Sequence, residues 1–228
     1  MQKASQAVDS NQNEVHHQLL KVLKIHLNTE YRKPISSSSR STFSLVDKIH
    51  QELKKPLILD SGCGTGHASK LLATANPDKL IIGVDKSAHR LAKGGLDFNF
   101  ELLENCLLLK MNLVDFWRLA IEHDWKLEKH YLLYPNPWPK AKHLRRRWYA
   151  HPVFPQLLKL GGELELRCNW KLYAEEFQAA MNFIMPGSCT LTEYRERTGI
   201  SLFEQKYLRQ GHQLYRCHCF LDNKEHTN

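Results

Sequence analysis

The sequence predicts an α/β fold, an open and mostly parallel sheet with helices on both faces and one late antiparallel strand. Three observations predict it. Short apolar runs of strand length alternate with helical spacings along most of the chain, as in βαβ units. Two of these runs end in aspartate, at Asp60 and at Asp85. A glycine-rich turn follows the first of them and leads into a helix, which places a ligand site at the carboxyl edge of the sheet.

The individual elements follow from apolar spacing and from the residues that break it. Residues 15–27 and 43–53 show helical spacing, and Pro34 with the serines at 36–39 separates them. We expect this serine run to be a linker or a mobile loop. The remaining predicted elements, in chain order, are a strand at 57–59, a helix at 67–75, a strand at 80–84, a helix at 88–93, a strand at 106–110, a helix at 116–122, a strand at 131–134, a helix at 153–160, a strand at 163–167, a helix at 173–183 and a strand at 214–219.

These elements predict one main domain with short extensions. Residues 41–222 should form it, preceded by a tail, a helix and a linker at 1–40 and followed by a disordered tail at 223–228. Within the first segment, residues 1–14 are polar and we expect them to be disordered. At 228 residues, the chain is long enough to bury about 70% of its unfolded surface.

Composition limits the classes of function. The formal charge of +8 and the isoelectric point near 9.2 favour a polyanionic partner. No stretch approaches the ~18 apolar residues of a membrane span, so we expect a cytoplasmic protein that binds RNA and no membrane. The six cysteines include no C-x-x-C pair, and we expect no metal site. The sequence does not define the oligomeric state, and a monomer is the simplest expectation.

The turn after the first strand has glycine at every second position, at Gly62, Gly64 and Gly66. Position 67, where a dinucleotide fingerprint has its third glycine, is His67. A nicotinamide cofactor is therefore disfavoured. The pattern acidic-x-Gly-x-Gly-x-Gly, beginning at Asp60, resembles the first motif of methyltransferases that use S-adenosylmethionine (SAM) and have a Rossmann-like fold.

Two further strand ends carry polar side chains. Asp85 lies 25 residues after Asp60, close to where a doubly wound fold places the carboxylate that receives ribose hydroxyls. Asn112 follows the third strand and could hydrogen-bond an adenine ring. Spacing alone supports equally well a role for Asn112 as the cap of the next helix.

The fourth strand end is followed by Tyr-Pro-Asn-Pro-Trp-Pro-Lys at 134–140. Three prolines exclude a continuing strand or helix, so the loop should hold Asn136 and Trp138 rigidly. A base could stack on Trp138 while Asn136 meets its edge. A cluster of cations follows and predicts phosphate contacts, at Lys142, Arg145, Arg146 and Arg147.

These motifs together resemble the bacterial tRNA (guanine-N7) methyltransferase family. The resemblance covers residues 56–220 and rests on the proline loop, on Cys-Asn-Trp at 168–170 and on Ser-Leu-Phe-Glu at 201–204 before Gly-His at 211–212. It implies a class I methyltransferase that acts on tRNA. It also implies that SAM contacts Asp60, Asp85 and Asn112, that Asn136 takes the catalytic position, and that substrate binds at Lys140, Asn169, Ser201 and Glu204.

The chain departs from the family pattern by having Asn where Asp is usual, at 112, 136 and 169. Guanine N7 carries a lone pair and no proton, so its methylation needs alignment and no general base. The swaps could therefore weaken activity or alter base choice without abolishing it.

Two rival functions remain open. One is methylation of an exocyclic amine, since Asn-Pro beside an aromatic resembles the Asn-Pro-Pro-Tyr loop of such enzymes. The other is a non-catalytic module that binds tRNA or SAM.

Overall fold

The computed structural model describes residues 8–96, 100–196 and 198–221. Within these residues, eight strands and the helices between them agree with the predicted α/β class. The strands are β1 (Leu57–Ser61), β2 (Leu80–Asp85), β3 (Phe100–Leu103), β4 (Cys106–Lys110), β5 (Lys129–Leu133), β6 (Gly162–Cys168), β7 (Cys189–Tyr194) and β8 (Leu214–Leu221).

The helices lie at nearly all the predicted positions, and the chain adds one that was not predicted, at 202–209. They are α1 (Leu19–Leu27), α2 (Ser37–Leu53), α3 (His67–Ala75), α4 (Ala88–Lys93), α5 (Leu113–Glu122), α6 (Phe154–Leu157), α7 (Lys171–Ile184) and α8 (Leu202–Arg209). Short 3-10 turns occupy Ala141–Arg146, Trp148–Ala150 and Leu158–Leu160. The predicted helix at 153–160 is therefore one α-helical turn followed by a 3-10 turn.

The strands form one sheet in the order β3-β4-β2-β1-β5-β6-β8-β7. β1 pairs in parallel with β2 and β5, and β2 pairs in parallel with β4. β8 is antiparallel to β7, which confirms the late antiparallel strand. A second antiparallel pair, β3 with β4, was not predicted. Every residue of β1 and β2 is buried, as expected for parallel strands covered on both faces.

The expectation that the serine run is a linker was wrong. α2 begins within it, because the Ser36 Oγ accepts a hydrogen bond from the backbone N–H of Ser39 at 3.0 Å. The Ser39 hydroxyl in turn donates to Asp115 on α5 at 2.7 Å. This contact fastens the start of the helix, and α2 runs through the predicted boundary at residue 40.

The prediction of disorder for residues 1–14 was wrong for the part that the structure describes. The Ser10 hydroxyl donates to the carbonyl of Pro139 at 2.7 Å, and the Gln12 amide donates to Glu176 at 2.6 Å. These hydrogen bonds give the segment a defined path. The predicted tail at 223–228 and residues 1–7 lie outside the described residues.

The chain divides into two compact units, counted over the described residues. The described residues of the first unit are 8–32, 133–155, 165–196 and 198–220, and those of the second are 33–96, 100–132, 156–164 and 221. In the second unit, Phe43 on α2 packs against Phe116 and Trp125, with ring centroids 5.6 and 4.9 Å apart. In the first unit, Tyr149 packs against Tyr173 and Phe177 of α7.

Candidate active site

The glycine turn that we expect to cradle the cofactor lies in the second unit. All three glycines have positive φ, at +83° for Gly62, +63° for Gly64 and +75° for Gly66, a region that side chains with a Cβ rarely adopt. A Cβ on Gly64 would meet nothing within 4 Å, so the turn leaves open space there. A Cβ on Gly66 would lie 2.7 Å from Leu108. A side chain at position 66 would therefore press on Leu108, a packing constraint that is separate from the predicted cofactor contact.

Asp85 holds this turn in shape. Its carboxylate, 2% exposed, accepts from the backbone N–H of Gly64 at 3.0 Å and of Ser87 at 2.8 Å. The guanidinium of Arg90 lies 3.0 Å from the same carboxylate, and its side chain is 45% exposed. Since a carboxylate has about four lone-pair sites, binding of both ribose hydroxyls would require Arg90 to move aside.

Asp60 is buried with one oxygen satisfied. The Ser69 hydroxyl donates to Oδ2 at 2.7 Å, while Oδ1 has no hydrogen-bond partner among the described residues. Burial raises the pKa of this carboxyl to about 6, with Ser69 opposing the shift and Asp85 adding to it. A buried carboxylate oxygen without a partner matches a ligand that brings a donor or a positive charge.

The expected methyl donor fits these residues. SAM carries an ammonium and a sulfonium group, and these positive charges suit the two buried aspartates. The open space at Gly64 would let the molecule lie close to the protein backbone. Asp60, Gly62, Gly64 and Asp85 would hold it.

A cavity of about 440 Å³ lies at the ends of β2 and β4, and Asn112 is part of its wall. Lys86, Lys110 and Met111 also line it. The Asn112 Oδ1 accepts from the backbone N–H of Val114 at 2.9 Å and so caps α5. Its side-chain amide nitrogen has no partner among the described residues, so capping and an adenine contact through that nitrogen are compatible.

The pKa of Asp60 gives a pH dependence for SAM binding. A cation is bound by the ionised carboxylate, so affinity should rise as the pH increases through about 6. One pH unit below that pKa, binding should be weaker by about tenfold. Calorimetric titrations from pH 5 to pH 8 measure this change, and Asp60→Asn should remove it. An unaltered pH profile in Asp60→Asn would contradict the assignment.

The raised pKa of Asp60 also makes the stability of the ligand-free protein depend on pH. The folded protein binds this proton more tightly than the unfolded chain, whose Asp has a pKa near 3.8. The free energy of unfolding contributed by Asp60 should therefore fall as the pH rises from about 4 to about 6.

The proline loop of the first unit is held in an uncommon backbone conformation. Tyr134, the first residue of the loop, and Trp138 within it have φ of +51° and +46°. Non-glycine residues in this region are under strain, which persists where surrounding contacts enforce it. Asn136 between them is exposed, and its Oδ1 accepts from the Trp138 backbone N–H at 3.3 Å. The amide of Asn136 thus lies beside Trp138 in this loop.

The basic segment after the loop forms a 3-10 turn, Ala141–Arg146. Lys142, Arg145 and Arg146 are exposed on it, and none forms an ion pair with a described residue. The Arg146 guanidinium lies over the Trp138 ring, 4.8 Å from its centroid. The His143 ring meets the Trp138 ring edge-on, with centroids 5.6 Å apart. Cationic and aromatic groups thus alternate on this surface. Lys140, at the start of the turn, is also exposed.

The prediction of a phosphate contact for Arg147 was wrong. Its side chain is fully buried and forms an ion pair with Glu176, which is fully buried as well. Tyr149 donates to the same carboxylate, and the Arg147 Nε donates to the Trp138 carbonyl at 3.2 Å. Arg147 therefore braces the proline loop from inside the first unit.

The amino-terminal segment is a support that sequence reasoning missed. Ser10 bonds to Pro139, and the Asn11 side chain accepts from the Ala141 backbone N–H at 3.0 Å. Gln12 and the backbone N–H of His16 both donate to Glu176. The segment thus binds the carboxyl side of the proline loop. Its partners lie far away in the sequence, so the local residues gave no signal for these contacts.

Ser201 and Glu204 act first as a helix cap. The Ser201 Oγ accepts from the Glu204 backbone N–H at 3.1 Å, and Glu204 accepts from the Ile200 N–H at 2.7 Å. The other Glu204 oxygen pairs with Arg167 at 2.9 Å and accepts from the Tyr194 hydroxyl at 2.5 Å. Glu204 is fully buried, so both of its oxygens are engaged within the protein at the position where the resemblance implies substrate binding.

Asn169 follows β6 and is half-buried. The backbone N–H of Tyr134 donates to the Arg167 carbonyl at 2.7 Å, which places the end of β6 beside the start of the proline loop. Asn136 and Asn169 therefore lie at one edge of the first unit.

Two negative findings concern the described residues. No group of three or more His, Cys, Asp or Glu side chains among them is arranged to hold a metal ion. None of the helices in this part of the chain is long and apolar enough to cross a membrane.

The sequence of this chain is similar to those of known methyltransferases. A family model described as "Putative methyltransferase" matches residues 54–217. A tRNA (guanine-N(7)-)-methyltransferase of Alkaliphilus oremlandii is 28% identical over 177 residues, covering 73% of this chain and 82% of that one. One of Pseudomonas fluorescens is 33% identical over 170 residues, covering 69% and 68%.

The fold has solved counterparts. A 16S rRNA (adenine(1408)-N(1))-methyltransferase from Catenulisporales acidiphilia, solved with SAM, aligns with a TM-score of 0.50 at 16% identity, over 78% of this chain and 92% of that one. The sheet order and the glycine cradle define a methyltransferase of the Rossmann-like class. The chain belongs to the tRNA (guanine-N(7)-)-methyltransferase family, as the identity across two thirds of both chains requires.

Proposed function

We propose that the protein transfers a methyl group from SAM to N7 of a guanine in tRNA. The observation that carries the proposal is the rigid loop at 134–140, where the exposed Asn136 amide and the Trp138 ring adjoin an exposed cationic turn. The relatives named above carry this activity in their names. Because tRNA is the substrate, we place the protein in the cytoplasm.

When bound, SAM supplies a methyl group on a positively charged sulfur. Asp60 and Asp85 offset the positive charge of the donor, and Gly64 leaves room for it. Both carboxylates are nearly inaccessible to water, so their charges act at low local dielectric. These residues bind and orient the donor, and none of them needs to exchange a proton during transfer.

On the substrate side, the chain must hold a base flat and oriented. Guanine N7 is an acceptor without a proton, so alignment is the main requirement. The Asn136 Oδ1 keeps a second lone pair beside its bond to Trp138. That lone pair can accept from a donor on the guanine ring. Trp138, backed by Arg146, offers a face on which the ring can stack.

A tRNA lacking the reacting atom tests the proposed position. Transcripts in which 7-deazaguanosine replaces guanosine keep their base pairs and phosphates but lack N7. Labelled methyl groups should pass from SAM to the ordinary transcript and not to the 7-deaza transcript. Equal labelling of both would contradict N7 as the acceptor and favour an exocyclic amine.

The exposed cations of the 3-10 turn should contact tRNA phosphates. Replacing two of Lys142, Arg145 and Arg146 by Gln should lower the slope of log affinity against log salt by about two. SAM affinity should not change. Filter binding over a range of salt concentrations measures the slope, and Lys48→Gln with Lys126→Gln, both exposed, serves as the matched control. An unaltered slope in the first variant would show that these side chains do not meet phosphate.

A further inference from the structure

Two hydrogen bonds hold the backbone of Trp138, one on each side of the residue. Its N–H donates to the Asn136 Oδ1 at 3.3 Å, and its carbonyl accepts from the Arg147 Nε at 3.2 Å. The residue has φ of +46°, and strain of this kind persists only where the surrounding contacts enforce it. Arg147 therefore helps to fix the part of the proline loop at which we place the base.

Arg147 also contacts the segment at 168–170. Its guanidinium lies over the Trp170 ring, 5.1 Å from the centroid. Trp170 directly follows Asn169, which the family resemblance assigns to substrate binding. One guanidinium thus contacts both segments that carry candidate base contacts, Asn136 in the first and Asn169 in the second.

Glu176 on α7 anchors this guanidinium. The carboxylate is fully buried, and its Oε2 pairs with Arg147 and accepts from the Tyr149 hydroxyl. Its Oε1 accepts from the Gln12 side chain at 2.6 Å and from the His16 backbone N–H at 2.8 Å. Four donors from different parts of the first unit therefore fix the carboxylate to which Arg147 is bound.

Stability is not a sufficient reason for a charged side chain at position 147. A fully buried ion pair is weak evidence of stabilisation, because both charges lose their hydration. The Nη2 of Arg147 is buried as well and has no hydrogen-bond partner among the described residues, which adds a further cost. What the guanidinium supplies, and an apolar side chain could not, is the donor to the Trp138 carbonyl.

We propose that Arg147, anchored by Glu176, is a positioning residue for methyl transfer, which acts by fixing Trp138 and Asn136. Arg147 is fully buried, so it meets neither SAM nor tRNA itself. This inference rests on the proposed function, because the position of the proline loop matters only if the reacting base binds there. A misplacement of about 1 Å can lower a rate by 10²-fold, so loss of Arg147 should slow the reaction while both ligands still bind.

Arg147→Lys separates the anchor from the bond to the loop. Lysine keeps a positive charge for Glu176, but a single ammonium group does not reproduce the planar fork that also reaches the Trp138 carbonyl. Single-turnover methylation of a tRNA transcript, with SAM and tRNA both saturating, should be slower by about tenfold or more. Affinity for SAM by calorimetry and for tRNA by filter binding should not change.

Glu176→Gln is the second variant, and it acts on the anchor alone. It keeps the shape of the side chain but removes its charge. Since a charge-assisted hydrogen bond is roughly twice as strong as a neutral one, transfer should again be slower, by about threefold or more.

Phe154→Leu is the matched control for lost stability. Phe154 is fully buried and packs on Phe177 in the same unit, with ring centroids 5.9 Å apart. This variant should lower the melting temperature and leave the rate unchanged when assays run well below that temperature. If it slows transfer as much as Arg147→Lys at equal loss of stability, the role of Arg147 is structural and the proposal is wrong.

A double variant tests whether Arg147 acts through the loop. In an Asn136→Ala background the base contact is already lost, so Arg147→Lys should slow transfer by much less than it does in wild type. A merely structural role predicts the same factor in both backgrounds. Equal factors would overturn the proposal, and so would a wild-type rate in Arg147→Lys.

The two proposals fail in different ways. If wild type methylates another atom of tRNA and Arg147→Lys slows that reaction, the positioning role stands and the proposed N7 transfer is wrong. If wild type methylates N7 and Arg147→Lys does so at the same rate, only the positioning role is wrong. If wild type transfers no methyl group to tRNA, both are wrong.

Discussion

Gly64→Val is expected to abolish SAM binding while the protein remains folded. The backbone at Gly64 faces open space, and φ is +63° there. A branched side chain would fill the space that the donor requires. It would also add strain of about 1–2 kcal/mol to the turn. Isothermal titration calorimetry measures the binding, and thermal melting measures the stability.

A second glycine separates strain from loss of space. Gly187 has φ of +75°, and a Cβ there would also meet nothing within 4 Å. Gly187→Val should therefore cost similar stability, yet leave SAM affinity unchanged. If both variants bind SAM equally well, the cradle is not at Gly64.

Asn136→Ala is expected to reduce turnover by at least tenfold, with SAM affinity unchanged. The substitution removes the base contact and also the hydrogen bond that Asn136 accepts from Trp138. A misplacement of about 1 Å can cost 10²-fold in rate. Single-turnover methylation of tRNA at saturating SAM measures the effect, and Asn28→Ala, on another exposed Asn, is the control.

Asn136→Asp should retain activity or raise it. The carboxylate keeps the acceptor for Trp138 and adds a second acceptor that stabilises the positive charge developing on the guanine ring. Because an amide does not ionise, the wild-type rate should show no ionisation of this residue between pH 6 and 9. Normal turnover in Asn136→Ala would mean that the base is held elsewhere. An inactive Asn136→Asp in an enzyme that methylates an exocyclic amine would support the rival reaction.

Local sequence patterns were sufficient for the central parallel strands and for the glycine turn after β1. The apolar runs ending at Asp60 and Asp85 became β1 and β2, since a parallel strand buried on both faces must be apolar. The glycine turn could be predicted in the same way, from the spacing of neighbouring glycines alone. Gly66 showed the limit of this reasoning, because its close approach to Leu108, far along the chain, has no local sequence signal.

Errors arose where a distant partner decides the structure. Arg147 has sequence neighbours like those of Arg145 and Arg146, but it is buried in an ion pair with Glu176 on α7, which the local sequence does not reveal. The α8 helix lacks a strong apolar period, yet its Ser-x-x-Glu capping box was present in the sequence and could have indicated its start. Ser36 could likewise have been predicted as the N-cap of α2, since serine is a preferred residue at that position.

Nucleoside mass spectrometry of tRNA treated with the purified protein and SAM tests the central claim most directly. The account predicts that 7-methylguanosine accumulates with wild type and falls by at least tenfold with Asn136→Ala. Methylation of an exocyclic amine, with no 7-methylguanosine, would contradict the claim, and so would the absence of any methylated nucleoside from a protein that binds both SAM and tRNA.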